Sequence, residues 1–153
     1  MAHVDESAIV PAPVEQVFEL IADYRRALEW MEGFTAFDLL PGPERGTGAR
    51  VRAVGSLLGL TMESELEIVA YHPPHRLVSR SVRPVRSETA WELEPAGEGT
   101  RVRFTGDYSL PLAVRIAGER AFQEIVSAHI RRSLANLRRL FEENAAGTGK
   151  VLE

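Results

Sequence analysis

A chain of 153 residues, 44% hydrophobic and 26% charged, suits one soluble domain with its own core and leaves little room for a second. It has no cysteine, and its four histidines (His3, His72, His75 and His129) lack metal-ligand spacing, so disulfides are excluded and neither a metal nor a cofactor is expected. The formal net charge of −4 argues against nucleic acid, no apolar run approaches the roughly 20 residues that cross a bilayer, and MAHVDESAIV lacks the features of a secretory signal, so a cytoplasmic protein without membrane insertion is expected.

The chain opens with a strand over residues 3–10, ended by Pro11-Ala12-Pro13, because proline cannot continue a ladder but suits a first helical turn. Val14, Val17, Phe18 and Ile21 then recur at helical spacing over residues 14–22, and a second helical piece spans about residues 25–31 before Gly33. A strand at 34–40 ends in the turn-rich PGPERGTG. Long β-compatible runs follow at 49–58 and 60–71 around Gly59. In the second run Leu60, Met62, Ser64, Leu66, Ile68 and Ala70 alternate with Thr61, Glu63, Glu65, Glu67 and Val69, giving one apolar and one acidic face.

His72-Pro73-Pro74-His75 reads as a turn, and residues 76–84, 86–94 and 100–110 supply three more strands, with PAGEG as the last hairpin loop. The chain closes on an amphipathic helix over about residues 114–144, with Phe122, Ile125, Val126, His129, Ser133, Leu137, Leu140 and Phe141 on one side. The expected domain is therefore residues 1–144, followed by a flexible tail over 145–153 that has little to bury. A meander of this length has one face to cover, and the long helix is what remains to cover it. If the sheet is strongly curved, a hollow persists between the two.

Four segments then carry a resemblance. They are Ile9 to Tyr24 (a near form of I-x-A-P-x-x-V-F-x-L-I-x-D-Y), Trp30 shortly after it, Tyr71 to Leu77 (Y-H-P-P-H-R-L), and Gly97 to Val102 (G-E-G-T-R-V). In this order and spacing they resemble the START-like, or Bet v 1-like, superfamily and within it the polyketide cyclase/dehydrase and lipid-transport group. The resemblance covers about residues 3–143. It implies an α+β helix-grip fold: a curved antiparallel sheet of about seven strands wrapped round a long C-terminal helix, with two short helices after the first strand. The implied function is binding of a small hydrophobic molecule, such as a lipid, aromatic polyketide or isoprenoid, in the cavity between them. A fold of this kind hosts many activities, so a cyclase or dehydratase, or a co-chaperone-like interaction domain, stays open beside it.

Alternation places Leu66 inward, and with it Met62 and Ser64, then Val51, Ala53, Gly55 and Leu57 on the preceding strand. On later strands it selects Leu77, Ser79 and Ser81; Ser87, Thr89, Trp91 and Leu93; and Val102, Phe104, Gly106 and Tyr108. Phe122, Ile125 and His129 face them from the helix, and Tyr24 and Trp30 either pack the hinge or line the pocket mouth. Apolar bulk with a few hydroxyls is a common recipe for a small-molecule site, and equally for a filled core. His129, with Tyr108 and Ser133 as companions, is the candidate acid–base group; the bland alternative is a structural histidine. Asp23 reads as a helix cap, and Arg131, Arg132, Arg138 and Arg139 beside Glu142 and Glu143 as a solvated face. Glu63, Glu65 and Glu67 face outward toward Arg50 and Arg52, or Arg101 and Arg103, and Arg80 and Arg103 fall on the outer phase. No phosphate-binding glycine loop or G-x-S-x-G elbow occurs, and the expected state is a monomer or homodimer.

Overall fold

The computed structural model describes residues 1–57 and 59–152, with the backbone alone for Ala117 and residues 144–152. Strand β1 (Ala2–Val10) leads through Pro11-Ala12-Pro13 into helix α1 (Val14–Ala22). Pro13, at φ −61° and ψ 148°, is the last extended residue, so the switch falls where proline dictates it. Asp23 closes α1 and opens a 3₁₀ helix (Tyr24–Glu29), its carboxylate accepting from the Arg25 N–H at 3.2 Å. The expected second α-helix is this tighter, shorter piece.

Six strands then run in an antiparallel meander: β2 (Phe34–Leu39), β3 (Arg50–Leu57), β4 (Leu60–His72), β5 (Arg76–Ser81), β6 (Arg86–Ala96) and β7 (Gly99–Ser109). With β1 they form one seven-stranded sheet in the order β1-β7-β6-β5-β4-β3-β2. The β6–β7 hairpin turns on Gly97 and Glu98, and Gly97 takes φ 61°, a conformation glycine adopts without strain.

Two register shifts depart from simple alternation. One between Ile68 and Ala70 pairs Ala70 with Val78 and Tyr71 with Leu77, so Tyr71 rather than Ala70 takes the inner face. Its ring meets Phe18 at 5.5 Å. The other, between Phe34 and Ala36, lets Phe34 and Phe37 share the inner face although they lie three positions apart.

Helix α2 (Leu112–Leu152) crosses the inner face. Gly118, at φ 147° and ψ 90°, breaks it near its start, where the sequence pattern predicts a continuous helix. The helical backbone also runs past the expected end at 144. Ile130, Leu134 and Leu137 join Val4, Leu77, Leu93, Val102 and Phe104 in the main core. Each such burial contributes roughly 1.5–3 kcal/mol before entropy is counted.

Outside, the sheet carries a charge lattice. Arg50 pairs with Glu65 at 2.9 Å, Arg52 with Glu63, Arg103 with Asp5 at 2.7 Å and Arg101 with Glu94 at 3.3 Å. In the register Arg52 lies opposite Glu65 and Arg50 opposite Glu67, so the first two pairs reach diagonally between strands. Half-exposed pairs of this kind contribute at most about 1 kcal/mol each. Among the described residues no helix is long and apolar enough to cross a membrane.

Candidate functional site: a cavity between sheet and helix

The curved sheet and α2 do not meet along their whole length, and a cavity of about 190 Å³ remains between them. A single water needs on the order of 10–15 Å³ on the same measure, so the space is far larger than a packing defect. Its sheet wall is built from residues that alternation brings inward: Ala53 and Gly55 on β3, Met62, Ser64 and Leu66 on β4, Ser79 and Ser81 on β5, Ser87, Thr89 and Trp91 on β6, and Phe104 and Tyr108 on β7. Phe122, Val126, His129 and Ile130 close it from α2, and Tyr24, Trp30, Glu32, Gly33, Phe34 and Phe37 from the hinge side.

Aromatic rings set its shape. Trp91 meets Trp30 at 5.3 Å and Phe104 at 4.8 Å, both edge to face, while Tyr24 stacks on Phe37 at 6.1 Å. Tyr24 and Trp30 thus pack the hinge against the sheet and line the cavity at once. Trp30 Nε1 is buried without a hydrogen-bond partner among the described residues.

The polar groups fall into two places. Ser79 Oγ and Thr89 Oγ1 lie 2.7 Å apart across the β5–β6 pair. Burial pushes the Tyr24 hydroxyl up to about 12, a hydrogen bond with Ser79 partly offsetting it, so Tyr24 remains a neutral donor near pH 7. Ser81 Oγ instead donates to the Arg83 carbonyl at 3.1 Å and serves its own turn.

The second polar place is where the hinge loop meets α2. Ser133 Oγ accepts the Glu32 N–H at 2.9 Å and donates to the His129 carbonyl at 2.8 Å. Asn136 Nδ2 donates to the Trp30 carbonyl at 3.1 Å and to Glu32 Oε1 at 2.9 Å. The Gly33 carbonyl accepts from the Ser56 N–H at 3.1 Å, so one short loop is tied to both helix and sheet. Burial, with Arg132 adding to it, holds the His129 imidazole below its ordinary range, and Glu32 opposes the shift.

The sequence-derived candidates Tyr24, Trp30, Met62, Ser64, Leu66, Ser79, Ser81, Thr89, Trp91, Phe104, Tyr108, Phe122 and His129 all line the cavity. Ile125 does not: the helix presents Phe122, Val126, His129 and Ile130 at steps of three and four, and Ile125 falls to the side of that stripe. Ser133 is fully buried and committed to tying the loop. Tyr108 packs on Phe122 at 5.4 Å, two helical turns before His129, roughly 10 Å along the axis, so the three do not form one acid–base group. Burial, with Asp107 adding to it, raises the Tyr108 hydroxyl above the usual phenol range. Glu32, Phe34 and Phe37 join the wall although alternation and helical spacing do not select them. The F-x-x-F spacing is visible in the sequence, but not the bulge that turns both rings inward. Among the described residues no three His, Cys, Asp or Glu side chains gather as a metal site would require.

Two consequences can be measured. A histidine with a lowered folded-state pKa binds its proton less readily folded than unfolded. Stability should therefore be greatest above pH 6.5, fall as pH drops from there through the folded-state value, and lose this component in His129→Gln, as pH-resolved denaturant titrations would read. At Gly33, φ is +87° and an added methyl would sit 2.5 Å from His129 Nδ1. Gly33→Ala should cost about 1–3 kcal/mol in thermal melts and displace the His129 ring signals in NMR spectra.

The match to a family model decides the lineage: the model described as polyketide cyclase / dehydrase and lipid transport fits residues 1–142. The chain belongs to this family. Solved structures agree on the fold. TTHA0849 from Thermus thermophilus is similar at 23% identity and TM-score 0.71, covering 88% of this chain and 96% of that one. The KanY protein is similar at 16% identity and TM-score 0.76, over 92% and 97%. Ara h 8.0201 is similar at 12% identity and TM-score 0.65, over 92% and 97%. No curated protein matches the sequence. The family member described here thus has a helix-grip architecture with a cavity between sheet and helix.

Proposed function

We propose that this family member binds one small, mainly apolar molecule between its sheet and α2, with an oxygen-bearing group of the ligand turned toward polar residues. The observation that carries this reading is the space of about 190 Å³ between sheet and helix, walled by rings and aliphatic side chains, with the Tyr24, Ser79 and Thr89 hydroxyls and the His129–Glu32 end as its main polar features. Such a wall favours apolar bulk, and sparse hydroxyls fix orientation rather than supply affinity. A lipid, aromatic polyketide or isoprenoid carrying a carbonyl or hydroxyl group fits this chemistry.

One observation favours a second reading, a cyclase- or dehydratase-like enzyme. His129 and Glu32 both line the cavity, and a neutral imidazole beside a carboxylate is a usable proton acceptor. A docking role for the outer acidic row has less support, because Glu63 and Glu65 are engaged by Arg52 and Arg50.

Native mass spectrometry of the purified protein, followed by extraction of any retained compound, tests the first reading. A bound apolar compound is the expected result. A clean apo mass, with no thermal shift from a panel of fatty acids and aromatic polyketides, would overturn it. Turnover of a retained compound by wild type but not by His129→Gln would shift the assignment to the enzyme.

A further inference from the structure

The sheet end that holds the β3–β4 turn, the β5–β6 loop, the start of β1 and the start of α2 differs from the rest of the surface. Beneath it lies a small cluster of its own: Ala2, Leu110 and Phe122, with Leu57, Val85, Tyr108 and Val114 packed against them. The cluster brings the β3–β4 turn, the β5–β6 loop and the first turns of α2 together, and Leu57, Val85, Tyr108 and Phe122 also line the cavity. This end is therefore the cavity's rim.

Five large apolar side chains stand out from the same elements: Met1, Leu60, Val82, Leu112 and Ile116, with exposures from 59% for Val82 to 77% for Ile116. Elsewhere among the described residues only Ile9 and Leu28 are comparable. Exposed apolar groups confined to one rim are the mark of a surface that leaves water during function.

Charge identifies what covers it. Arg83, Arg86 and Arg115 are exposed in these same elements and have no carboxylate partner among the described residues. On the outer sheet face Arg50, Arg52, Arg80, Arg101 and Arg103 are paired, and the exposed Arg76, at the opposite end of the sheet, has no carboxylate partner among the described residues. Of the nearby carboxylates, Glu119 lies 2.7 Å from the N-terminal amine and Glu88 3.8 Å from Arg80. A chain of net charge −4 thus presents free guanidinium groups around apolar tips at one end.

We propose that this rim docks on an anionic lipid surface. Leu60, Val82, Leu112 and Ile116 enter the headgroup–acyl boundary while Arg83, Arg86 and Arg115 meet lipid phosphates. The apolar tips and the guanidinium groups both stand out from the surface, as entry into a headgroup layer requires. The break at Gly118 sets residues 112–117 at their own angle to the rest of α2, so Leu112 and Ile116 project apart from the core-facing stripe. The proposal does not depend on what the cavity holds, and vesicle binding is scored without a ligand.

The test is co-sedimentation with vesicles of phosphatidylcholine alone and of phosphatidylcholine mixed with phosphatidylglycerol, at low and at physiological salt. The expected result is binding to the mixed vesicles, weakened by salt and by removal of phosphatidylglycerol. Ile116→Asp and Leu112→Asp should each weaken it about tenfold or more, and Arg83→Glu about fivefold or more. Ile9→Asp, an exposed apolar residue on the outer face of β1, serves as the control and should leave binding unchanged. All four positions are exposed, so melts should stay close to wild type. Absence of binding to the mixed vesicles at low salt would overturn the proposal. So would binding that Ile116→Asp and Leu112→Asp do not alter, or a rim that proves in sedimentation velocity to be buried between two copies of the chain.

Discussion

Ser64→Trp should abolish binding of an apolar fluorophore such as anilinonaphthalene sulfonate, weakening it at least about a hundredfold, while the melting temperature stays within a few degrees of wild type. Ser64 lies on the cavity wall opposite Ala53 in the β3–β4 ladder, and its side chain makes no hydrogen bond among the described residues. An indole there enters space that is already open, so the core need not be overpacked. The contacts it denies a ligand correspond to several buried methylenes at about 0.8 kcal/mol each, which sets the expected scale. Titration of the fluorophore into both proteins reads the result directly. Undiminished affinity in the variant would place the fluorophore elsewhere and remove the cavity from the functional account.

Leu137→Ala should be the most destabilising truncation on α2, costing about 2–5 kcal/mol. Leu137 has no exposed surface and packs where α2 crosses the centre of the core, away from the cavity, so a smaller residue leaves a void that rigid neighbours cannot fill. For a domain of this size that corresponds to a fall of roughly 5–15 °C in melting temperature. Phe122→Ala makes a useful contrast, since its ring already borders open space and also packs on Tyr108. Calorimetry of the two variants separates a core position from a cavity position.

Much of this architecture can be read from the amino acids alone, because the fold rests on patterns that local chemistry enforces. Pro13 marks the start of α1, and the alternation of apolar residues with Glu63, Glu65 and Glu67 sets both faces of β4. What escapes are features with no local signature. A β-bulge is decided by how two strands fit, so neither Tyr71 turning inward nor the shared face of Phe34 and Phe37 follows from alternation. Gly118 looks like any tolerated helical glycine until its backbone angles are seen. Glu32 sits in a loop with no distinguishing pattern, and its place in the cavity wall depends on Ser133 and Asn136, about a hundred positions later. Ile125 lies one step off the lining stripe on the wheel, the ordinary error of judging a helical face from spacing without its partner. Of the ionisable groups on the wall, His129 is thus legible from helical spacing, and Glu32 is placed by tertiary contacts alone.

The pairing of β1 with β7 also bears on how the chain reaches this state. Ala2 lies in register opposite Tyr108, so of the seven strands the first in sequence has its only neighbour in the last. Until the two pair, β1 carries Val4 and Val10 on an unpaired edge, while the β3–β4, β4–β5, β5–β6 and β6–β7 hairpins can assemble from sequence-local contacts. Adding β1 to the sheet edge, and with it the contact of β1 with α2, requires bringing together positions about a hundred residues apart, which is entropically costly. The β1 side of the cavity thus depends on a long-range contact, and a ligand that arrives before β1 pairs would meet a sheet lacking one edge strand.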